Sequence, residues 1–356
     1  MIAAAGRQDV FSGTRAPVQA IDLAALASYF ATYLDGFRGP LAASQFKGGQ
    51  SNPTYKLSTS SGHYVLRRKP PGPLLPSAHA VDREYRVISA LHGAGFPVPR
   101  PLLYCADERI IGSAFYVMDY VDGRIFWEPF APGLAGEDRA RLFADLNATM
   151  ARLHSFDPAA LGLSDFGKPQ GYVARQIKRW TAQYRASETE PIPEMDRLIA
   201  FLPGACPPDS GVAIVHGDFR LDNCIIDARE PRILAVLDWE LSTLGDPAAD
   251  FTYHLMQWFM PVSDAGIGSL KGHEHDPGIP AFASYVAAYC DHTGKSHLAH
   301  LDAYLAINFF RLAAILQGIA GRVRDGTAVN TNATRMIAQI RPIAEAAWAF
   351  ARKAGA

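Results

Sequence analysis

Cysteine is scarce in this chain. Its 356 residues hold four, Cys105, Cys206, Cys224 and Cys290, with no CxxC pair and no regular spacing. That leaves no basis for a disulfide framework or a structural zinc site, and it points to a reducing, cytoplasmic compartment. An excess of either charge is also missing. Thirty-four Lys and Arg residues stand against 35 Asp and Glu, so nothing draws the whole chain toward nucleic acid or an anionic membrane. The first residues carry an early Arg but no apolar run long enough for a signal peptide, and no stretch approaches a membrane span. No flavin-binding pattern, internal repeat or low-complexity tract is present. What remains is an ordinary globular composition, 49% hydrophobic and 19% charged, in a chain long enough for two lobes.

Patterning divides the chain near residue 120. Residues 1–20 lack periodicity and read as a flexible lead-in. Asp22 can cap a helix reaching Phe37, with Leu23, Leu26, Phe30 and Leu34 at helical spacing. Two strands, Pro53–Thr59 and His63–Arg67, follow around Ser60-Ser61-Gly62. Next come a breaker at Pro70-Pro71-Gly72-Pro73, a helix from His79 to His92 and a strand over Ser113–Val121. Helices are expected over 137–156, 170–186, 191–202, 280–292, 298–325 and 331–354, with an irregular loop at 261–279. The class is therefore α+β: a small β-rich N-lobe (21–119) and a larger, mainly helical C-lobe (120–356).

The segment His216-Gly217-Asp218-Phe219-Arg220-Leu221-Asp222-Asn223, followed by Asp238-Trp239-Glu240, carries the chemistry. H-G-D-x-x-x-x-N and a later D are the spacing that sets one base and two metal-binding groups around a transferred phosphoryl group. Cys224–Ile226 and Ile233–Leu237 are apolar, β-branched runs, and the residues between them are turn-like. A hairpin centred between Glu230 and Pro231 would set Asn223 opposite Asp238. Both offer the hard oxygen ligands that Mg²⁺ takes beside phosphates. Asp218 would accept a proton from an attacking hydroxyl. His216 reads as a structural partner of the loop, and Glu240 as an outer-sphere metal group or a helix-end partner. Arg220 stays unassigned and Asp222 reads as a solvated neighbour. Asp246-Pro247 reads as an N-cap and first helical residue, so Asp246 is structural. His273-Glu274-His275-Asp276 reads as solvated loop rather than a metal site.

From Ala42 to Gly326 these residues resemble the aminoglycoside phosphotransferase and choline kinase superfamily, with its bilobal protein-kinase-like fold. Within it the chain looks most like the kinase-like domains that precede, or are encoded near, acyl-CoA dehydrogenases. The resemblance implies ATP and Mg²⁺ in the cleft between lobes, with Asp218 as catalytic base and Asn223 and Asp238 on the metal. It implies that Gly49, Gln50, Ser51 and Asn52 meet the nucleotide, although their loop has neither GxGxxG nor GxxxxGK[ST]. Arg67 stands where such folds place a Lys, with Lys69 as a substitute just beyond and Glu84 as the helix partner. Asp119 and Tyr120 take the hinge position beside the adenine edge. Tyr253, Trp258, Asn308 and Arg311 are candidates for the acceptor side.

The activity this implies is transfer of phosphate to a hydroxyl of a small molecule, such as a hydroxyacyl-CoA, with no nucleic acid or membrane partner. The sequence leaves the oligomeric state open. Two other readings stand beside it: a catalytically impaired pseudokinase serving as a nucleotide-binding scaffold, and an aminoglycoside-modifying kinase. No A-P-E segment or long activation loop follows Asp238, which sets a protein kinase apart.

Overall fold

The computed structural model describes residues 21–46, 52–70, 80–263, 268–326 and 333–356. The lead-in and the loop residues Gly49, Gln50 and Ser51 lie outside the described residues, as does most of the proline-rich breaker.

Helix α1 (Leu23–Tyr33) begins where Asp22 caps it, its carboxylate accepting from the N–H groups of Ala24 and Ala25 at 3.0 and 2.9 Å. It ends short of Phe37 because the chain turns at Gly36, whose φ is 74°. Five antiparallel strands follow: β1 (Ala42–Gln45), β2 (Thr54–Thr59), β3 (Gly62–Arg68), β4 (Pro101–Cys105) and β5 (Phe115–Asp119). They lie in the order β1-β2-β3-β5-β4. Two faces follow from the period of two. Leu57, Leu66, Phe115 and Val117 meet Leu26 and Phe30 of α1 in one apolar cluster. Burying those two α1 side chains contributes roughly 1.5–3 kcal/mol each. Val65, Tyr116 and Met118 point the other way, toward α2 (Val81–Gly93) and the larger core. Arg67 shares that second face, directly opposite Tyr116 in the β3–β5 register.

Beyond Asp119 the chain crosses to a helical lobe through a segment tied down at Arg124, which pairs with Ile226 in both directions at 2.7 and 2.8 Å. Gly123 is required there, since an added Cβ would fall 2.5 Å from the Ile226 carbonyl. The helices are α3 (Gly136–Ser155), α4 (Tyr172–Ser187), α5 (Pro193–Phe201), α6 (Pro247–Leu255), α7 (Phe282–Thr293) and α8 (Leu301–Arg324). Two more, α9 (Ala333–Ile337) and α10 (Ile340–Lys353), replace the single helix expected over 331–354. Pro342 explains the break: it has no N–H for the Ala338 carbonyl, so it belongs in the first turn of a new helix.

Helix α8 corrects another expectation. It is long and apolar enough to cross a membrane, yet 89% of its apolar window is buried inside the protein. Apolar all round, it serves as the core helix on which α4, α6 and α10 pack.

Two short sheets carry the motif. β6 (Ala213–Val215) pairs with β9 (Thr243–Gly245), and β7 (Cys224–Ile226) pairs with β8 (Ile233–Val236). The β7–β8 register overturns the hairpin arithmetic. Cys224 faces Val236, Ile226 faces Ile233, and a bulge lies between. Asn223 therefore sits opposite Leu237, its carbonyl accepting the Leu237 N–H at 2.8 Å, and not opposite Asp238. With Ile226 facing Ile233 the turn is centred one position earlier than the arithmetic placed it, which moves the partner of Asn223 back by two, and the extra residue in β8 restores one of them.

Candidate functional site

The loop after β6 is held by a buried carboxylate that the sequence reading did not single out. Asp250, on α6, accepts the N–H groups of His216 and Gly217, each at 2.8 Å. His154 of α3 reaches the same carboxylate through Nε2 at 3.1 Å, and its Nδ1 lies 2.6 Å from the Tyr289 hydroxyl. Burial pushes the Asp250 carboxyl up, but His154 and the His216 side chain and N–H outweigh it and hold it below the usual range. One signal was available: Asp250 lies one turn from Asp246 in a helix that is otherwise mostly apolar.

His216 is buried and structural. Its Nε2 donates to the Leu237 carbonyl at 2.8 Å, so Nδ1 is the acceptor and takes the Asp218 N–H at 3.2 Å. Gly217 adopts a φ of 85°, and its carbonyl accepts from Arg311 Nη2 at 2.8 Å. Every link of this loop is thus fixed before Asp218 is reached.

The Asp218 carboxylate is presented to the cleft. Asn223 Nδ2 donates to its Oδ2 at 3.2 Å and to its backbone carbonyl at 2.9 Å. Arg220 Nε lies 3.6 Å from Oδ1, and the Tyr253 hydroxyl faces the same carboxylate. Burial, then the Asp218 charge, raises the Tyr253 pKa and keeps it a donor. Asp222 is not simply a solvated neighbour: its Oδ2 is 2.5 Å from Arg220 Nη2, and both side chains are half-buried.

Asp238 follows β8 with φ 64° and ψ 60°, a left-handed conformation that Asp tolerates better than most residues. It meets the N-lobe through Arg67. Arg67 Nη2 is 2.7 Å from Asp238 Oδ1 and 3.3 Å from Glu240 Oε2, and Arg67 Nε is 2.9 Å from Glu84 Oε2. The Glu84 contact is an ion pair without hydrogen-bond alignment. Glu84, 1% exposed, also accepts from Asn52 Nδ2 at 2.6 Å and from the Tyr116 hydroxyl at 3.0 Å. Arg67, not Lys69, therefore takes the helix-Glu partner, and the Asn52 side chain reaches Glu84 inside the lobe.

Burial pushes the Glu84 carboxyl up to about 7 while Arg67 pulls it down. For Arg67, burial opposes the charge, but Glu84, Tyr116, Asp238 and Glu240 together raise its pKa. Because Glu84 normally ionises near 4.5, the folded chain keeps a proton through a window in which the unfolded chain has lost it. The group therefore costs stability as pH rises from about 4.5 to about 7. Glu84→Gln, which cannot titrate, should gain in melting temperature relative to the parent between about pH 5 and about pH 8. A difference that stays level across thermal melts would mean that Glu84 ionises normally.

At the end of β5, the Asp119 carboxylate pairs with Arg100 at 2.9 Å, and its N–H bonds the Arg100 carbonyl. Lys56 Nζ lies 4.1 Å from the centre of the Tyr120 ring. Of the four acceptor candidates, only Tyr253 lines the cavity beside the loop. That cavity, about 160 Å³, is walled mainly by Met256, Met260, Leu312, Ile315 and Leu316, with Arg220 and Asp222 also in its wall. Trp258 instead packs in the core and lines a separate space with Phe282 and Phe350. Asn308 donates to the Ala249 carbonyl and Thr252 Oγ1, each at 2.9 Å, and so locks α8 to α6. Arg311 lies behind Tyr253, 4.7 Å from its ring centre.

Asp246 caps α6 through the N–H groups of Ala248 and Ala249, as its Asp-Pro pair implies. His273 pairs with Asp276 and stacks on Phe130, and among the described residues no group of three or more His, Cys, Asp or Glu is arranged for a metal. A cation held by Asn223 and Asp238 would therefore rely on phosphate and water for its remaining ligands, a donor set that suits Mg²⁺.

The profile of the Phosphotransferase enzyme family matches residues 42–296. Acyl-CoA dehydrogenase family member 11 of Rattus norvegicus is 40% identical over 343 residues, 95% of this chain and 44% of that protein. The chain spans less than half the length of such curated relatives. A solved Ralstonia eutropha protein, described as a candidate aminoglycoside phosphotransferase, is 45% identical with a TM-score of 0.85, covering 94% of this chain and 99% of its own. Choline kinase from Cryptosporidium parvum shares the fold at 11% identity, with a TM-score of 0.62 over 91% of this chain and 95% of its own.

Proposed function

The chain belongs to the phosphotransferase enzyme family, and from that premise we propose that it is a small-molecule kinase using ATP and Mg²⁺ on a hydroxyl acceptor. The observation that supports this reading is the hydrogen bond of Asn223 to Asp218, with Asp238 one residue beyond the Leu237 that pairs with Asn223, and Arg67 reaching Asp238 from the sheet. Asn223 commits its amide nitrogen to Asp218, which leaves the oxygen end for a cation, and Asp238 would supply the carboxylate. When bound, Mg²⁺ neutralises charge on the phosphates.

The chain's own residues do the rest. Asp218 orients the acceptor hydroxyl and takes its proton as the oxygen bonds phosphorus and the leaving nucleotide departs. Tyr253 and Asn223 keep the carboxylate aimed. Arg67, backed by Glu84, steadies the phosphates from the N-lobe. Positioning and charge account for most of the catalysis.

The Met, Leu and Ile lining of the cavity that Tyr253 and Arg220 share supports an acceptor with an apolar chain near its hydroxyl. A hydroxyacyl-CoA has this character, and the acyl-CoA dehydrogenase names of the relatives agree with it. A polycationic aminoglycoside suits such a lining poorly. The test is coupled ADP release with Mg-ATP against hydroxyacyl-CoAs, aminoglycosides and amino alcohols. Turnover confined to hydroxyacyl-CoAs is expected. Turnover of aminoglycosides would overturn the acceptor class, and nucleotide binding without turnover of any hydroxyl compound would point to the pseudokinase reading.

A further inference from the structure

Arg67 occupies the carboxylate that the proposed cation needs. Its Nη2 lies 2.7 Å from Asp238 Oδ1 and 3.3 Å from Glu240 Oε2, while its Nε lies 2.9 Å from Glu84 Oε2. The two ends differ in freedom. Glu84 is 1% exposed and held from two other sides, so the Nε end is anchored. Asp238 is 35% exposed, so the Nη2 end meets the open cleft. Asp238 stands on a left-handed backbone between β8 and the buried Trp239, and that backbone sets where its side chain starts.

A guanidinium is a rigid fork, and that is why one side chain spans both anions at once. A divalent cation arriving alone must displace a positive group already seated on its ligand. A nucleotide changes the balance, since its phosphate oxygens give the fork another anion of matching geometry.

We propose that Arg67 acts as a counter-ion latch: it closes Asp238 to a divalent cation until nucleotide phosphates draw its Nη2 arm away, so cation and nucleotide enter together. The inference rests on the reading that Asp238 holds the cation. By linkage the coupling is reciprocal, and each ligand strengthens the other through the same side chain.

The test measures Mn²⁺ binding by electron paramagnetic resonance, without nucleotide and with a non-hydrolysable ATP analogue, so no turnover is needed. The parent should bind Mn²⁺ alone about tenfold more weakly than with the analogue. Arg67→Met removes the charge. Arg67→Lys keeps it, and keeps a partner for Glu84, but a single ammonium cannot span Glu84 and Asp238 together. Both variants should bind Mn²⁺ alone about tenfold more tightly than the parent. If Arg67→Lys matches the parent and only Arg67→Met tightens, the effect is bulk charge and the latch is wrong. Parent-like binding by both variants also overturns it. Absence of Mn²⁺ binding even with the analogue would remove Asp238 as the cation ligand, and the latch with it.

Discussion

Asp218→Asn should lower kcat by about a thousandfold with little change in nucleotide affinity, in line with the usual contribution of a positioned general base. The amide nearly matches the carboxylate in shape, so the loop pinned by Asp250, His216 and Arg311 should keep its course. Asn223 Nδ2 can still donate to the remaining oxygen, and Tyr253 still fills its place. What disappears is the lone pair that takes the acceptor's proton. Nucleotide binding should survive, because the N-lobe groups Arg67 and Glu84 converge on Asp238 rather than on Asp218. Kinetics against both substrates, with separate nucleotide titration, decide the matter. A variant with parent-like kcat would remove Asp218 as the base.

The second large effect is on stability. Asp250→Ala should cost about 3–5 kcal/mol, the range seen when one partner of a buried charged network is deleted. The carboxylate is almost fully buried and serves two backbone N–H groups and His154. Removing it strands three donors in a dry interior, each of which loses its partner without regaining water. Because the His216 and Gly217 amides are among them, the loop carrying Asp218 should loosen before the rest of the protein unfolds. Urea unfolding followed in parallel with activity measures both effects. A loss below about 1 kcal/mol would place Asp250 among ordinary polar contacts.

Much of this was readable in the chain, because local chemistry settled it. Asp22 and Asp246 cap helices in the way short carboxylates do beside free N–H groups. The alternation of β2 and β3 put Arg67 on the face opposite Leu66, from which Glu84 could be reached. Other features depend on partners far away in sequence. β1 reads Ala-Ala-Ser-Gln and has little strand propensity; it forms because β2 offers it an edge. The bulge in β8 is invisible to arithmetic, since one extra residue in a strand and one in a turn give the same count.

The acceptor side was the hardest to see. Asn308 and Tyr253 are both polar residues in apolar helices, and only the packing of α8 against α6 sends one to a carbonyl and the other to a cavity. Helix α8 is apolar on all faces, so its pattern gives no direction to read. Asp222 looked solvated because charged loop residues usually are; its neighbour Arg220 pairs with it instead.

The pairing of Arg124 with Ile226 sets where the linker joins the helical part. The linker is stitched to the hairpin that begins at Asn223, and Gly123 lies hard against the same strand. From Arg124 onward the linker therefore travels with the C-lobe as one piece. Upstream, Asp119 is the last residue bonded into the sheet, so positions 120–123 are the backbone link between the sheet and the helical part. The two parts are also stitched away from that link: Arg86 reaches Asp165, Arg152 reaches the Ala94 and Gly95 carbonyls, and the Val236 N–H meets the Pro97 carbonyl. They are joined along a seam rather than at a single pin.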